Sequence, residues 1–93
     1  MAYRNWGVAL QHQGEYEQAI TKYKKAIDTN SRLAVAFESW GHSLYSQRKF
    51  DEAIEKYNKA IEIDPESPIS REYLEKSKSA AAKTKKSAPV DRE

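Results

Sequence analysis

The chain contains no cysteine and only three prolines and three glycines among its 93 residues. Without cysteine there is no disulfide framework and no thiol chemistry. No apolar run approaches the roughly 20 residues that are needed to span a bilayer. The N-terminus also lacks the apolar segment of a signal peptide. These absences argue against a membrane-bound protein and favour a cytoplasmic location.

Neither positive nor negative charge is in large excess, because the formal net charge is only +2. Most of the excess lies late in the chain, in a group of lysines: Lys76, Lys78, Lys83, Lys85 and Lys86. The remainder is nearly balanced, whereas a nucleic-acid-binding domain carries a basic stripe on a folded face. The composition therefore predicts no nucleic-acid partner.

Residue patterns that carry catalysis are missing as well. There is no Gly-rich phosphate loop and no Ser/His/Asp order. The two histidines, His12 and His42, are the only candidates for acid–base or metal chemistry. A metal site needs further ligands at close spacing, and none stands out. We predict no enzyme activity, no catalytic residue, no metal and no cofactor.

What the sequence does contain is an internal repeat, in which the second copy follows the first at a constant spacing. Twelve positions of the first copy recur in the second, beginning with the pairs Tyr3/Phe37, Trp6/Trp40, Gly7/Gly41, Leu10/Leu44 and Gln13/Gln47. A fixed period between roughly 20 and 50 residues is typical of stacked supersecondary units. Such a stack offers a continuous concave face rather than an enclosed pocket, so function is expected on a surface.

Apolar residues inside each copy recur every three to four positions, which predicts helices. The first helix ends before a turn at Gly14, and three others cover about residues 17–29, 32–47 and 51–63. We expect Ser31 to cap the third helix. A fifth helix, capped by Ser67 and opened by Pro68, is expected to end near Lys83. The predicted class is all-α with five helices, and Gly7 and Gly41 are expected at close helix crossings.

The recurring residues resemble the tetratricopeptide repeat, a helix–turn–helix of about 34 residues with a Trp-x-x-Leu-Gly-x-x-Tyr start and a closing Pro. The resemblance is carried by Trp6, Gly7 and Leu10 in the first copy and by Trp40, Gly41, Leu44 and Pro65 in the second. It implies antiparallel helix–turn–helix repeats wound into an α-solenoid, a right-handed superhelix. It places the first repeat at residues 2–33, the second at 34–67, a C-terminal capping helix at 68–83 and a disordered tail at 84–93. Because Met1 leads directly into the first repeat, we expect a piece of a longer array.

The resemblance also implies a function, because in this family a partner peptide lies in the groove formed by the first helices of successive repeats. We therefore expect a protein or peptide partner. Carried onto this sequence, the peptide-binding groove comprises Arg4, Val8, Gln11, His12, Val35, Glu38, Ser39, His42, Tyr45 and Ile69.

Membership of one sub-family can be tested from the residues at its ligand-binding positions. Repeat domains that hold the C-terminal carboxylate of heat-shock chaperones use a clamp of Lys and Asn side chains. The clamp needs Lys at the position of Arg4, Asn at the positions of Val8 and Ser39, and basic residues at the positions of Ile69 and Tyr73. Since only Arg4 is compatible, the sequence argues against a chaperone carboxylate as the partner.

Two alternatives remain open. One is self-assembly into a homodimer through an uncovered apolar edge of the first helix pair. The predicted edge residues are Tyr3, Trp6, Tyr16 and Ile20. The other alternative is an engineered or excised scaffold that has no ligand of its own.

Overall fold

Five α-helices make up the described part of the chain. A computed structural model describes the backbone of residues 3–87 and the side chains of residues 3–84. The helices are α1 (Tyr3–His12), α2 (Tyr16–Thr29), α3 (Ala34–Ser46), α4 (Phe50–Ile63) and α5 (Pro68–Ser87). Residues 3–87 contain no strand, and none of their helices is long and apolar enough to cross a bilayer. The predicted all-α class is confirmed.

The five helices form two layers. Short connections at residues 13–15 and 47–49 fold α1 against α2 and α3 against α4 as antiparallel hairpins. Helix α3 contacts all four other helices, and α1 and α5 each pack beside it. In contrast, the backbones of α2 and α4 do not approach each other closely over the described residues. The stack therefore curves toward the inner layer of α1, α3 and α5, whose free side is the concave face.

Glycine is required where the two helices of each hairpin cross. A Cβ atom at Gly7 would lie 2.5 Å from Cε1 of Tyr23, and one at Gly41 would lie 2.7 Å from Cε1 of Tyr57. Both tyrosines are fully buried. The close approach expected at these glycines is confirmed, and its partner is a tyrosine ring of the second helix.

The core runs across four helices. Its buried cluster consists of Ile20, Leu44, Ala53, Tyr57 and Leu74. Leu74 belongs to α5, so this helix covers the apolar side of the second hairpin. Ile20 is only 9% exposed, which makes its predicted place on a free edge wrong. Its side chain faces the second repeat, because α2 packs on α3.

The turn between the repeats differs from the prediction. Helix α3 begins at Ala34 with no side-chain cap, so Ser31 does not cap it. Instead, Asn30 Oδ1 accepts a hydrogen bond from the backbone N–H of Arg32 at 3.1 Å. The Asn30 carbonyl accepts another from Leu33 at 3.1 Å. The helix therefore starts two residues later than predicted, and Leu33 rather than Ser31 occupies its N-cap position.

The same turn recurs at the end of the second repeat, where it leads into α5. Asp64 Oδ1 accepts a hydrogen bond from the backbone N–H of Glu66 at 3.2 Å. Here Ser67 does take the capping place, since its Oγ accepts from the N–H of Ser70 at 3.4 Å. Pro68 is the first residue of α5. The predicted start of the fifth helix is confirmed.

The end of α5 lies beyond the predicted position. The helix continues to Ser87 instead of ending near Lys83, and Thr84 Oγ1 donates to the carbonyl of Ala80 at 2.9 Å within it. Alanine and lysine are strong helix formers, so the composition of this segment favours an extended helix. The predicted disorder is therefore wrong for residues 84–87, and residues 88–93 lie outside the described residues.

Candidate functional site

The concave face carries two exposed apolar side chains at equivalent positions. Val35 is 41% exposed and Ile69 is 48% exposed. Each is the second residue of its helix, α3 or α5, and the two positions are separated by one full repeat. Helical spacing places Val35 on the same side of α3 as Glu38 and His42. This side is turned toward α5, as the contacts of Glu38 and His42 show.

Glu38 is held in a fixed position by two hydroxyl groups of α5 and its cap. Its Oε2 accepts a hydrogen bond from Ser70 Oγ at 2.8 Å and another from Ser67 Oγ at 3.2 Å. Ser70 is 1% exposed, so this carboxylate is anchored from below. Glu38 therefore holds its carboxylate on the wall between α3 and α5.

Polar groups between α1 and α3 face one another rather than a ligand. Gln11 Oε1 accepts hydrogen bonds from Tyr23 Oη at 2.7 Å and from Ser43 Oγ at 2.8 Å. Burial raises the pKa of Tyr23 above its ordinary value, and the hydroxyls of Ser43 and Ser39 oppose the rise. Ser39 is only 5% exposed. Its predicted place in the groove is wrong, because it lies beneath the surface beside Tyr23.

His42 lies among aromatic rings at the junction of α3, α4 and α5. The Tyr57 hydroxyl is 2.6 Å from His42 Nδ1, and it donates to that nitrogen in the neutral tautomer that carries its proton on Nε2. The Tyr73 ring packs edge-on against it, with 4.6 Å between ring centroids. Burial lowers the pKa of His42 below its ordinary value, and the charge of Glu38 opposes this only in part. His42 is therefore a packed, neutral side chain at pH 7.

The remaining predicted groove residues differ in exposure. Arg4 is half-buried, and its Nη1 donates to Asn5 Oδ1 at 2.9 Å. Val8 is half-buried in the middle of α1, and His12 is exposed at its end. Tyr45 is half-buried and contacts the Phe50 and Tyr73 rings edge-on. The predicted groove thus has an apolar end, at the starts of α3 and α5, and an aromatic end at Tyr45.

A tryptophan is exposed at the free edge of the first repeat. Trp6 is 43% exposed, and it stacks on Tyr3 with 6.2 Å between ring centroids. Lys22 Nζ lies 3.7 Å from its ring. The equivalent Trp40 has Lys56 of its own repeat at 4.0 Å and also Lys24 of the preceding repeat at 5.5 Å. Trp6 therefore occupies the position that packs between repeats in the second copy.

Tyr16 does not belong to this edge. It lines a cleft together with Tyr45 and Phe50, at the opposite side of the first hairpin. Its predicted grouping with Tyr3 and Trp6 is wrong, because the start of α2 faces the second repeat. Of the four predicted edge residues, Tyr3 and Trp6 remain at the edge.

No group of three or more histidine, cysteine or acidic side chains within the described residues is arranged to hold a metal ion. His12 and His42 lie at different places, one exposed at the end of α1 and one packed against α4 and α5. The structure does not bring them together.

Family comparisons identify both repeats. Residues 1–32 match the family model described as the tetratricopeptide repeat, and residues 41–74 match a second model described as the TPR repeat. Together the two matches cover well over half of the chain. The chain belongs to the tetratricopeptide repeat family. No curated protein matches it.

Two solved tetratricopeptide repeat structures share the fold. The first TPR of Spaghetti (RPAP3), bound to the HSP90 peptide SRMEEVD, superposes with a TM-score of 0.82 at 21% sequence identity. That match covers 86% of this chain and 64% of the other, so this chain spans less than two thirds of that relative. The first TPR domain of the human RPAP3 protein gives a TM-score of 0.59 at 19% identity, covering 92% and 94% of the two chains. At these identities the likeness shows the fold alone.

Sequence reasoning about the tetratricopeptide repeat missed several residues of the concave side. Ser43 and Ser70 are buried polar residues that hydrogen-bond to Gln11 and Glu38. The sequence feature that could have identified them is a serine at a position that the helical period places on the buried side. Tyr73 was considered only as a clamp position, although it contacts His42.

Arg48 was missed as well, although it stands at the position of the second repeat that corresponds to Gly14 in the first. Both residues have a positive φ, 64° for Arg48 and 82° for Gly14. The alignment of the two copies was the signal that could have found it.

Proposed function

We propose that this chain is a protein-interaction module whose concave face binds a peptide segment of a partner protein. Membership of the tetratricopeptide repeat family supports this function in general terms. The observation that carries the proposal is the exposed apolar pair of Val35 and Ile69 on consecutive inner helices. Single exposed apolar side chains are normal on soluble proteins. Two at equivalent positions of a concave wall, beside an anchored charge, are what a peptide groove requires.

The anchored carboxylate indicates which peptides fit. Glu38 lies between the two apolar side chains and the aromatic end of the groove, and Ser67 and Ser70 keep it in place. A partner side chain above it should be a hydrogen-bond donor or a cation, since a like charge would be repelled. We therefore expect peptides that combine aliphatic residues with a basic or hydroxyl-bearing residue.

The same charge argues against a chaperone carboxylate in this groove. Of the positions that would form the clamp, Val8 and Ile69 are apolar, Ser39 is buried and Tyr73 packs on His42. A C-terminal carboxylate placed there would approach Glu38 without a cation from α3 or α5 in the clamp positions. The relative's ligand, the peptide SRMEEVD, should not displace a peptide that is bound in this groove.

The test uses peptides selected from a random library on the wild-type protein, with affinity measured by fluorescence anisotropy. Burying an aliphatic side chain stabilises a complex by about 1.5–3 kcal/mol. Val35→Ser and Ile69→Ser should therefore each weaken binding roughly tenfold or more. Both side chains are exposed, so the fold should tolerate the changes. Trp6→Ala is the matched control, because it removes the other large exposed apolar side chain of the described residues, outside the groove.

The groove proposal fails if the selected peptides bind Val35→Ser and Ile69→Ser as tightly as wild type. A loss of affinity in Trp6→Ala alone would place binding at the edge of the first repeat. Because two repeats offer a short groove, we expect affinities on the order of micromolar or weaker.

Self-association is a second candidate, and the exposure of Trp6 favours it. In the second repeat the equivalent Trp40 packs between cations of two repeats. Among the described residues, Trp6 has only Lys22 of its own repeat. A second copy could cover the free side of the Tyr3–Trp6 stack. Sedimentation over a roughly tenfold concentration range should then show a dimer that Trp6→Ala abolishes. A monomer at every concentration would exclude this candidate.

A further inference from the structure

A second recess lies at the far ends of the inner helices, next to the aromatic end of the proposed groove. It is an open cleft of about 640 Å³ between the start of α2, the end of α3, the start of α4 and the second half of α5. Val35 begins α3 and Tyr45 lies ten residues later, so the cleft is about 15 Å along the helix from the apolar pair. The cleft therefore shares Tyr45 with the aromatic end of the groove and lies far from its apolar end.

Aromatic and basic side chains line this cleft. Tyr16, Tyr45 and Phe50 provide its aromatic side, and Arg48 and Lys83 provide its cations. Tyr45 meets Phe50 edge-on at 5.3 Å between centroids. The described lining contains no carboxylate. Asp51 and Glu75 border the cleft, in adjoining recesses that share Arg48 and Lys83 with it. The cleft thus combines apolar surface with positive charge.

Arg48 adopts a backbone conformation that disfavours its own side chain. Its φ is 64°, in the left-handed region that glycine adopts without steric conflict. The first repeat has Gly14 at the equivalent position, with a φ of 82°. The two copies therefore share the turn, and the second copy carries an arginine where glycine is the relaxed choice. A strained residue that lines a recess is a reason to look for function in its side chain.

The guanidinium of Arg48 is available for a ligand. Arg48 is exposed, and its Cζ lies 5.5 Å from the centroid of the Phe50 ring. None of the carboxylates described in residues 3–84 forms an ion pair with it. Its neighbour Lys49, by contrast, pairs with Glu17 at 3.7 Å. An arginine that packs on an aromatic ring presents its planar fork to a carboxylate.

We propose that this cleft binds an acidic peptide segment that carries an aromatic side chain. A carboxylate of the segment pairs with the Arg48 guanidinium. The aromatic ring of the segment packs edge-on among Tyr16, Tyr45 and Phe50, as Tyr45 and Phe50 already pack on each other. The site goes beyond the concave groove, and it recognises the opposite charge from that expected above Glu38.

Arg48→Gly separates binding from folding, because the two roles of the residue predict opposite effects. Glycine relaxes the turn, so the variant should melt no lower than wild type. The probe is a fluorescent peptide in which glutamates flank a single phenylalanine. Its affinity should fall about tenfold in Arg48→Gly, as expected on losing a charge-assisted hydrogen bond. Lys59→Gln is the charge-matched control, since Lys59 pairs with Glu62 on α4, and it should bind the probe as wild type does.

Four further comparisons complete the test. A peptide with lysine in place of glutamate and one with alanine in place of phenylalanine should both bind more weakly. Arg48→Lys, which keeps the charge and loses the planar fork, should fall between wild type and Arg48→Gly. Val35→Ser should leave the affinity unchanged, which keeps this result independent of the groove. The proposal is overturned if Arg48→Gly binds the probe as tightly as wild type. Equal binding of the lysine peptide, or no binding of the probe to wild type, would overturn it as well.

Discussion

Replacing Gly41 by alanine tests the tightest helix crossing in the second repeat. Alanine in a helix interior is normally favoured over glycine by about 1 kcal/mol. Here its Cβ would lie 2.7 Å from Cε1 and 2.9 Å from Cδ1 and Cζ of Tyr57. That ring is fully buried, and its hydroxyl is tied to His42 Nδ1 at 2.6 Å, so it cannot rotate away. Overpacking of this kind costs about 3 kcal/mol at the upper end.

The net expectation is a loss of about 2 kcal/mol, which lowers Tm by roughly 8–16 °C in a domain of this size. Thermal and urea unfolding followed by far-UV circular dichroism measure it. In a Tyr57→Leu background the ring is gone, so Gly41→Ala should cost less there than in wild type. A Gly41→Ala variant with unchanged or higher Tm would refute the close-approach argument. Gly41→Leu, which adds more carbons to the same space, should be more destabilising than alanine.

Other substitutions test features at single positions. Gly14 and Arg48 both have positive φ, which favours glycine. In urea unfolding, Gly14→Ala should lower the free energy of unfolding by about 1 kcal/mol although the space around Gly14 is open, and Arg48→Gly should raise it by about 0.5 kcal/mol. Effects of the same sign would contradict this. Since the folded pKa of His42 lies below its usual 6.5, the unfolded chain binds more protons, and stability falls as pH drops below about 6.5. Tm measured against pH should show this loss in wild type and less of it in His42→Gln; parallel curves would refute it. Of the two tryptophans, only Trp40 packs between two repeats. Trp6→Ala should therefore lower the free energy of unfolding by about 1 kcal/mol or less, and Trp40→Ala by about 2–3 kcal/mol. Equal losses in thermal unfolding would show that Trp6 is as tightly packed as Trp40.

The pH argument also changes the expectation for ligand binding. If His42 contacts an acidic ligand group, protonation should strengthen binding as pH falls. Because burial lowers the pKa of His42, this gain should appear below the usual range of histidine, not at pH 6.5. Comparing the pH dependence of binding in wild type and His42→Gln would detect it.

Local patterns in the sequence were sufficient for the helices and for the places where they cross. The repeat period and the three-to-four spacing predict both hairpins, and Gly7 and Gly41 stand where a Cβ atom has no room. The start of α5 follows from Ser67 and Pro68. Each of these features depends on residues close together in the chain, or on one short distance between two neighbouring helices.

Features that depend on which neighbour a helix face meets could not be predicted. Helical spacing shows that Ile20 lies on an apolar face but not that this face is covered by the second repeat. The contact of Glu38 with Ser70 joins two helices that are distant in the chain, and no local pattern pairs them. Ser31 failed as a cap because Asn30, one residue earlier, completes the turn first. The left-handed Arg48 is different, since its alignment with Gly14 was visible in the sequence.

The position of the Gln11 side chain has a consequence for how the molecule unfolds. One amide oxygen accepts hydrogen bonds from Tyr23 in α2 and from Ser43 in α3, so α1, α2 and the second repeat meet at a single atom. Ser43 is fully buried, and opening the first hairpin alone would leave its hydroxyl without this acceptor. In a linear array, such a nearest-neighbour term decides whether repeats melt separately or together. The two hairpins should therefore open as one cooperative unit, with similar protection of α2 and α3 amides in hydrogen exchange.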